Sequence, residues 1–131
     1  MPGETILIVD DDPICLTLAS IALRHAGFAI LTAGDGLEAL DLLESVEPDL
    51  ILSDIQMPHL DGFEFARHAR KIKRLAGIPM IALTAFASPD MEQRIYEAGF
   101  TAYLDKPINS AGLVARIRRY LGRSSNSSTA A

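Results

Sequence analysis

The chain has 131 residues, of which 49% are hydrophobic, and a net charge of −5 at pH 7. This length suits one folded domain, and the ordinary glycine and proline content argues against intrinsic disorder. No apolar stretch approaches the roughly 20 residues that span a bilayer, and the acidic first residues do not suggest a secretory signal. The single cysteine, Cys15, excludes an internal disulfide. We therefore expect a cytoplasmic protein in which Cys15 is a packing residue.

The charges are distributed unevenly along the chain. Residues 1–64 carry 13 acidic residues and one basic residue, whereas residues 65–131 carry 4 acidic and 11 basic residues. The bases cluster at 67–74 and 116–123, where they could face nucleic acid or an acidic partner. No aromatic residue interleaves with the first cluster, and no DNA-binding motif follows the second. We therefore interpret both as solvated helix faces and do not expect nucleic acid as a partner.

Five short apolar runs predict β-strands. In chain order they occupy residues 6–9, 28–31, 50–52, 78–83 and 101–104. The first, third and fourth runs are continuous rather than alternating, which is typical of strands buried on both faces of a parallel sheet.

A helical pattern follows each predicted strand. Capping residues predict the starts of the first four helices, at Asp12-Pro13, Gly34-Asp35-Gly36, Asp61-Gly62 and Ser88-Pro89-Asp90. Glycine or proline predicts the ends of the five helices, at Gly27, Pro48, Gly77, Gly99 and Gly122. The apolar periodicity of the first helix comes from Ile14, Leu18 and Ile21.

Five β-α units in succession predict an α/β fold with a doubly wound parallel sheet. We expect one domain over residues 1–122. The polar, serine-rich residues 123–131 predict a disordered tail.

Most of the predicted strands end in polar residues. Asp10 and Asp11 follow the first strand, Asp54 the third, Thr84 the fourth and Lys106 the fifth. In doubly wound sheets ligands bind outside the carboxyl ends of the strands. Clustered carboxylates repel one another by about 4 kcal/mol at 4 Å, so they call for a cation, and oxygen ligands suit Mg²⁺. A divalent ion, a carboxylate nucleophile and a lysine are the groups needed to attack a phosphoryl group.

These motifs together resemble the receiver domain of two-component response regulators. They are Val9-Asp10-Asp11, Ser53-Asp54-Ile55-Gln56-Met57-Pro58 with Asp61-Gly62, Thr84-Ala85 and Lys106-Pro107. The resemblance covers about residues 4–121 and implies a flavodoxin-like (βα)5 sheet of strand order 2-1-3-4-5. It implies a signalling domain rather than an enzyme, one that catalyses only its own phosphorylation and dephosphorylation. The donor would be the phosphohistidine of a histidine kinase or a histidine phosphotransfer protein.

The resemblance also implies a role for each motif residue. Asp54 would accept the phosphoryl group, whose oxygens Lys106 and the Thr84 hydroxyl would contact. The Mg²⁺ ligands would be Asp10, Asp11, Asp54 and the main-chain carbonyl of Gln56.

Other positions would control access to the site and the response to phosphorylation. Small Ala85 would leave the phosphoryl path open, while Gln56 and Phe86 would overhang it. Bulky Phe86 predicts slow hydrolysis, so a Phe86→Ala protein should lose its phosphoryl group faster. Pro107 would follow a cis peptide bond, and Tyr103 would be a switch aromatic, although a half-buried edge-strand tyrosine explains it equally well. The responding surface, for a downstream partner or a self-dimer, would be helix 4, strand 5 and helix 5.

Other interpretations remain open. An Asp-nucleophile phosphohydrolase would use Asp10 as nucleophile and Asp12 as acid, but Asp12 is better explained as the helix N-cap. That class would also leave the Asp54 motif unexplained. A receiver that binds partners but no longer accepts a phosphoryl group would lack some of the site residues, whereas every expected residue is present in this sequence. The sequences of residues 81–85 and 106–108 also resemble those of receivers attached to hybrid histidine kinases. The chain could therefore be a stand-alone receiver or a receiver domain excised from such a kinase.

Overall fold

A computed structural model describes residues 3–57, 59–85, 87–106 and 109–130, without side chains beyond Leu121. Within these residues, five parallel strands form one sheet in the order β2-β1-β3-β4-β5. The strands are β1 (Thr5–Val9), β2 (Ala29–Ala33), β3 (Leu50–Asp54), β4 (Met80–Thr84) and β5 (Ala102–Asp105). The predicted doubly wound sheet and its strand order are confirmed.

Five helices alternate with these strands in the described ranges. They are α1 (Pro13–His25), α2 (Gly36–Leu43), α3 (Gly62–Arg70), α4 (Pro89–Ala98) and α5 (Ser110–Ala130). The predicted N-caps of the first four helices are confirmed, since a side-chain oxygen of each accepts a first-turn backbone N–H; they are Asp12, Asp35, Asp61 and Ser88. Gly99 ends α4 at a φ of 115°, a left-handed conformation that favours glycine. None of the described helices is long and apolar enough to cross a membrane.

Some element boundaries differ from the predicted ones. β4 begins at Met80 rather than at residue 78, because Pro79 has no N–H to donate to the strand ladder. α3 ends at Arg70, and a separate 3₁₀ turn at Lys73–Leu75 follows it. α5 continues past Gly122 through backbone for which the sequence predicts a disordered tail. Glycine weakens a helix by about 1 kcal/mol but does not forbid it; the division at residue 122 stays a prediction.

The sheet separates two hydrophobic cores. One lies under α2, α3 and α4 and contains Leu7, Ile51 and Phe65, all fully buried. The other lies under α1 and α5 and contains Ile8 and Leu52. Successive strand residues point to opposite faces, so a strand covered on both sides must be apolar throughout. This explains the continuous apolar runs of the sequence.

Helix α1 turns the apolar residues of its predicted periodicity toward solvent. Ile14, Leu18 and Ile21 are 69%, 62% and 60% exposed. The helix instead packs through residues that include Ala19 and Leu23. The periodicity showed that a helix forms but not which face it buries. The three exposed residues, Ile14, Leu18 and Ile21, are called the α1 stripe below.

Several of the clustered basic residues serve the fold. Arg74 donates a hydrogen bond to the Leu43 carbonyl. Arg118 donates to the Ala26 carbonyl at 3.3 Å, linking α5 to the end of α1. Arg67 lies 3.5 Å from Glu64 in a surface ion pair. The first two contacts hold Arg74 and Arg118 against the fold, and the Glu64 carboxylate offsets part of the charge of Arg67.

Candidate functional site

Polar residues from four strand ends meet at the carboxyl edge of the sheet. Asp10 follows β1, Asp54 ends β3 and Thr84 ends β4, and the three are only 1%, 7% and 5% exposed. Lys106 follows β5, and its backbone N–H donates to the Thr84 carbonyl at 2.9 Å. The chain therefore brings together the groups that the strand-end pattern predicted would meet.

Three carboxylates form the acidic part of the site. Asp10, Asp11 and Asp54 each offer one oxygen, and these oxygens all lie within 4.8 Å of one another. Two unit charges at such distances repel by about 4 kcal/mol at an effective dielectric constant of 20. Oxygen ligands of this kind fit Mg²⁺, which usually takes one or two carboxylates and retains several waters. The donor set is therefore suited to that ion.

Lys106 supplies the positive charge of the site. Its ammonium Nζ lies 3.3 Å from Asp10 Oδ2 and 3.4 Å from Asp54 Oδ1. Burial alone would lower the pKa of Lys106, but Asp10 and Asp54 outweigh burial and raise it above its ordinary value. The amine therefore stays protonated and can neutralise a phosphoryl oxygen.

Asp54 has an unusual pKa. Burial first, and then the neighbouring charge of Asp10, raises the pKa of Asp54 to about 6. Lys106 and the Ile55 backbone N–H, which donates to Asp54 Oδ1 at 2.8 Å, act in the opposite direction. At neutral pH most of the carboxylate is thus ionised and can act as a nucleophile.

The site opens to solvent through a cavity of about 220 Å³. The described residues that line it are Asp11, Asp54, Ile55, Gln56, Thr84, Ala85, Met91 and Lys106. Asp10 is not among them; it lies almost fully buried and accepts the Asp12 backbone N–H at 2.9 Å. An incoming group therefore meets Asp54 rather than Asp10.

The remaining predicted site residues occupy different positions. Gln56 and Ala85 line the cavity and are exposed. Tyr103 is half-buried in β5, and a hydrogen bond to the Glu92 carboxylate of α4, more than burial, raises the pKa of its hydroxyl. Phe86 and Pro107 lie outside the described residues, so their predicted roles stay predictions.

Two residues beside the site have structural roles. The Asp12 carboxylate accepts the Ile14 backbone N–H at 3.0 Å, so its predicted capping role is confirmed. Cys15 is half-buried, and burial, followed by Asp10, raises the pKa of its thiol to about 12. Such a thiol stays protonated at neutral pH, which suits a packing residue.

Met91 is a cavity residue that the sequence analysis missed. It lies on the first turn of α4, where its backbone N–H donates to the Ser88 hydroxyl at 3.1 Å. Its side chain is half-buried and packs against the core under α2, α3 and α4. The sequence did contain a signal for the position of Met91. Ser88 is a helix N-cap and follows Thr84 closely, so the first turn of the helix must lie beside the end of β4.

A parallel sheet of this order, with clustered carboxylates, a lysine and a threonine at its carboxyl edge, defines a receiver-type signalling domain. The sequence profile described as "Response regulator receiver domain" matches residues 6–118, and the chain belongs to this family. It is 38% identical over 119 residues to the polar-differentiation response regulator DivK of Brucella ovis, covering 91% of this chain and 97% of the Brucella protein.

Solved structures show the same likeness. The chemotaxis response regulator CheY4 of Vibrio cholerae has a TM-score of 0.87 and 34% identity, covering 90% of this chain and 98% of the Vibrio chain. The receiver domain of a sensor histidine kinase of Pseudomonas aeruginosa has a TM-score of 0.85 and 34% identity, covering 92% of this chain and 98% of that domain. That domain holds a magnesium ion in its active-site cleft.

Proposed function

We propose that Asp54 is a phosphoacceptor, taking a phosphoryl group from the phosphohistidine of a histidine kinase or a histidine phosphotransfer protein. The observation that carries this proposal is the position of Asp54, which faces the cavity 3.4 Å from the Lys106 ammonium. Mg²⁺, held by the carboxylates of the site and by the main-chain carbonyl of Gln56, would supply positive charge beside the phosphoryl oxygens.

The transfer is a single displacement at phosphorus. An oxygen of Asp54 forms the new bond, the phosphorus–nitrogen bond of the donor breaks, and its electron pair returns to the imidazole. Lys106 shifts from its two carboxylates toward a phosphoryl oxygen, and the Thr84 hydroxyl donates to another. Both contacts are made by groups that the fold already holds beside Asp54, so little reorganisation is needed when charge develops on the phosphoryl oxygens.

The burial of Asp10 favours this function over a phosphohydrolase that attacks through Asp10. Its carboxylate already accepts hydrogen bonds from Lys106 and from the Asp12 backbone, and it does not reach the cavity among the described residues. Asp12, the acid of that alternative, is committed to the cap of α1.

The α1 stripe supports a protein as the donor. It begins at Ile14, two residues after the cap of α1, and thus close to the carboxylates of the site. Apolar residues in a row on one helix face are the kind of surface on which a partner protein packs. A donor that packs on this row would bring its phosphohistidine to the cavity.

Phosphorylation of Asp54 would change the conformation of the surface formed by α4, β5 and α5. Thr84 pairs with Asp105 in the sheet, and Tyr103 lies two residues earlier on β5, bonded to Glu92 of α4. If Thr84 moves toward the phosphoryl group, Tyr103 gains space and a two-state equilibrium shifts. A downstream protein or a second copy would bind the favoured state.

Labelling with a small phosphodonor and Mg²⁺ tests the chemistry. We expect one acyl phosphate per chain in the wild type, none in Asp54→Asn, and slow labelling in Lys106→Ala. Peptide mapping identifies the labelled residue. A label on Asp10, or a label that persists in Asp54→Asn, would show that the proposal is wrong.

Replacing one residue of the α1 stripe tests the protein donor. Leu18→Glu should slow phosphotransfer from the protein donor by about tenfold or more, the loss expected for an interface anchor. Its labelling by acetyl phosphate should stay unchanged. Leu37→Glu is the matched control, because Leu37 is also an exposed leucine, at 52%, but lies on α2. Equal rates of phosphotransfer to the wild type, Leu18→Glu and Leu37→Glu would contradict docking of the donor on the α1 stripe.

A further inference from the structure

We propose that Met91 restricts the access of water to phosphorylated Asp54 and so lengthens the lifetime of the acyl phosphate. The inference rests on the proposed phosphoacceptor function and adds a residue that controls the stability of the product. It stands on the position of Met91 in the cavity wall.

The backbone of Met91 is fixed in place. The Ser88 hydroxyl accepts its N–H at 3.1 Å, and Pro89, the first residue of α4, restricts the backbone at the helix start. Its side chain reaches from the core under α2, α3 and α4 into the wall of the cavity that contains Asp54. A change at this residue therefore acts on the cavity directly.

Met91 is the longest apolar side chain among the described residues that line the cavity. The other apolar ones are Ile55, which is almost fully buried, and Ala85, whose single methyl group fills little space. Met91 lines the neighbouring wall on the α4 side.

Hydrolysis needs one water molecule in line with the bond to Asp54. The water oxygen forms a bond to phosphorus, the bond from phosphorus to the Asp54 oxygen breaks, and the water proton leaves with the inorganic phosphate or to solvent. A held water needs two to four polar partners and room for about one probe sphere. Methionine offers only a weak acceptor and no donor. Its side chain therefore excludes this water and cannot activate it.

A methionine can do this without closing the site to the donor. Its unbranched side chain has three rotatable bonds and adapts to a new neighbour. A phosphohistidine arrives with the binding free energy of a whole protein interface, which can displace a flexible side chain. A lone water molecule brings no such free energy. The residue thus slows hydrolysis more than it slows phosphorylation.

The lifetime of the acyl phosphate in position-91 variants tests the inference. The full chain is labelled with acetyl phosphate and Mg²⁺, the donor is removed, and release of inorganic phosphate is followed. Met91→Ala should shorten the lifetime by about threefold or more, whereas Met91→Leu should stay within about twofold of wild type. Met91→Gln, of similar length but polar, should also shorten it. Gln93→Ala is the control, since Gln93 is exposed on the same helix and contacts Glu97.

Urea unfolding of each variant distinguishes an effect on water access to the acyl phosphate from an effect on the stability of the fold. A residue that only packs would lower the unfolding free energy without changing the lifetime at a urea concentration where every variant is folded. A wild-type lifetime in both Met91→Ala and Met91→Gln would overturn the inference while leaving Asp54 as the phosphoacceptor. A wild-type chain that never labels on Asp54 would overturn both.

Discussion

The buried carboxylate of Asp54 makes stability depend on pH. Its pKa in the folded protein is about 6, above the unfolded value of about 3.9. Between these values the folded state binds more protons than the unfolded state, so its stability falls as pH rises from about 4 to about 6. Asp54→Asn removes the ionisation, and it should raise the unfolding free energy of the metal-free protein at pH 7.5 by on the order of 1 to 3 kcal/mol.

Urea unfolding at pH 4 and pH 7.5 measures this effect. The advantage of Asp54→Asn should be small at pH 4, where Asp54 is protonated in the folded state and about half protonated in the unfolded state. Asp12→Asn is the control, because asparagine caps a helix about as well as aspartate. An advantage of Asp54→Asn that is equal at both pH values would contradict the raised pKa.

The backbone of Asp54 is held by the close approach of Gly62. The Gly62 N–H donates to the Ile55 carbonyl at 2.7 Å. A Cβ on Gly62 would overlap the carbonyl oxygen of Asp54 and lie 2.7 Å from the Cα of Ile55. Neither backbone group can move aside without displacing the acceptor carboxylate. Only glycine fits this position.

Gly62→Ala should therefore destabilise the protein by about 1 to 3 kcal/mol, the usual range for overpacking. It should also slow labelling of Asp54. Gly77→Ala is the matched control, since a Cβ there meets nothing within 4 Å, and it should be neutral or slightly stabilising. Unfolding and labelling rates of the two variants measure the difference. Similar stability of the two variants would show that the close approach of Gly62 to the backbone does not exclude a Cβ.

Arg70 connects several elements at the edge of the sheet opposite the site. Its Nε donates to the Gly99 carbonyl at 2.8 Å, at the end of α4. Its Nη1 donates to the Leu75 and Ile78 carbonyls at 2.9 and 2.8 Å, before β4. Its Nη2 lies 3.4 Å from the Thr101 hydroxyl, before β5. The planar guanidinium thus joins α3 to the end of α4 and to the segments that lead into β4 and β5.

Arg70→Lys keeps the charge but cannot reproduce this fork of donors. It should lower the unfolding free energy by about 1.5 to 3 kcal/mol, the range for one hydrogen bond to a charged group. Arg67→Lys is the control, because among the described residues the contact of Arg67 is an exposed ion pair with Glu64 at 3.5 Å. Thermal and urea unfolding compare the two. Equal losses would mean that the contacts of Arg70 add nothing to stability.

The whole domain should be complete without the polar tail. Among the described side chains, the last one buried in the core is Leu121, 6% exposed under α1 and α5. A chain that ends at Gly122 should unfold within about 0.5 kcal/mol of the full chain, as expected where no core contact is lost. A chain that ends at Tyr120 also loses Leu121 and should be less stable by about 2 kcal/mol or more. Equal unfolding of all three would place the domain boundary earlier.

Much of this molecule could be predicted because its signals are local. A capping oxygen, a proline at the helix start and a glycine after the last turn act within a few residues, so the helix starts at Asp12, Asp61 and Ser88 were correct. Pro79 shows that an apolar run does not define the first residue of a strand, because the missing N–H of Pro79 set where β4 begins. The exposed α1 stripe shows another limit, because apolar spacing does not identify the packed face.

The sequence by itself determined the order of strands and helices and the polar residues at the strand ends, because each follows from side-chain chemistry over a few positions. It also identified Asp54, Lys106 and Thr84 as residues that should meet. The tertiary structure alone decided that Asp10 is buried behind Asp54 and that Met91 enters the cavity wall. These outcomes depend on how helices pack on the two faces of a twisted sheet. Such packing joins residues far apart in the chain, and no local pattern encodes it.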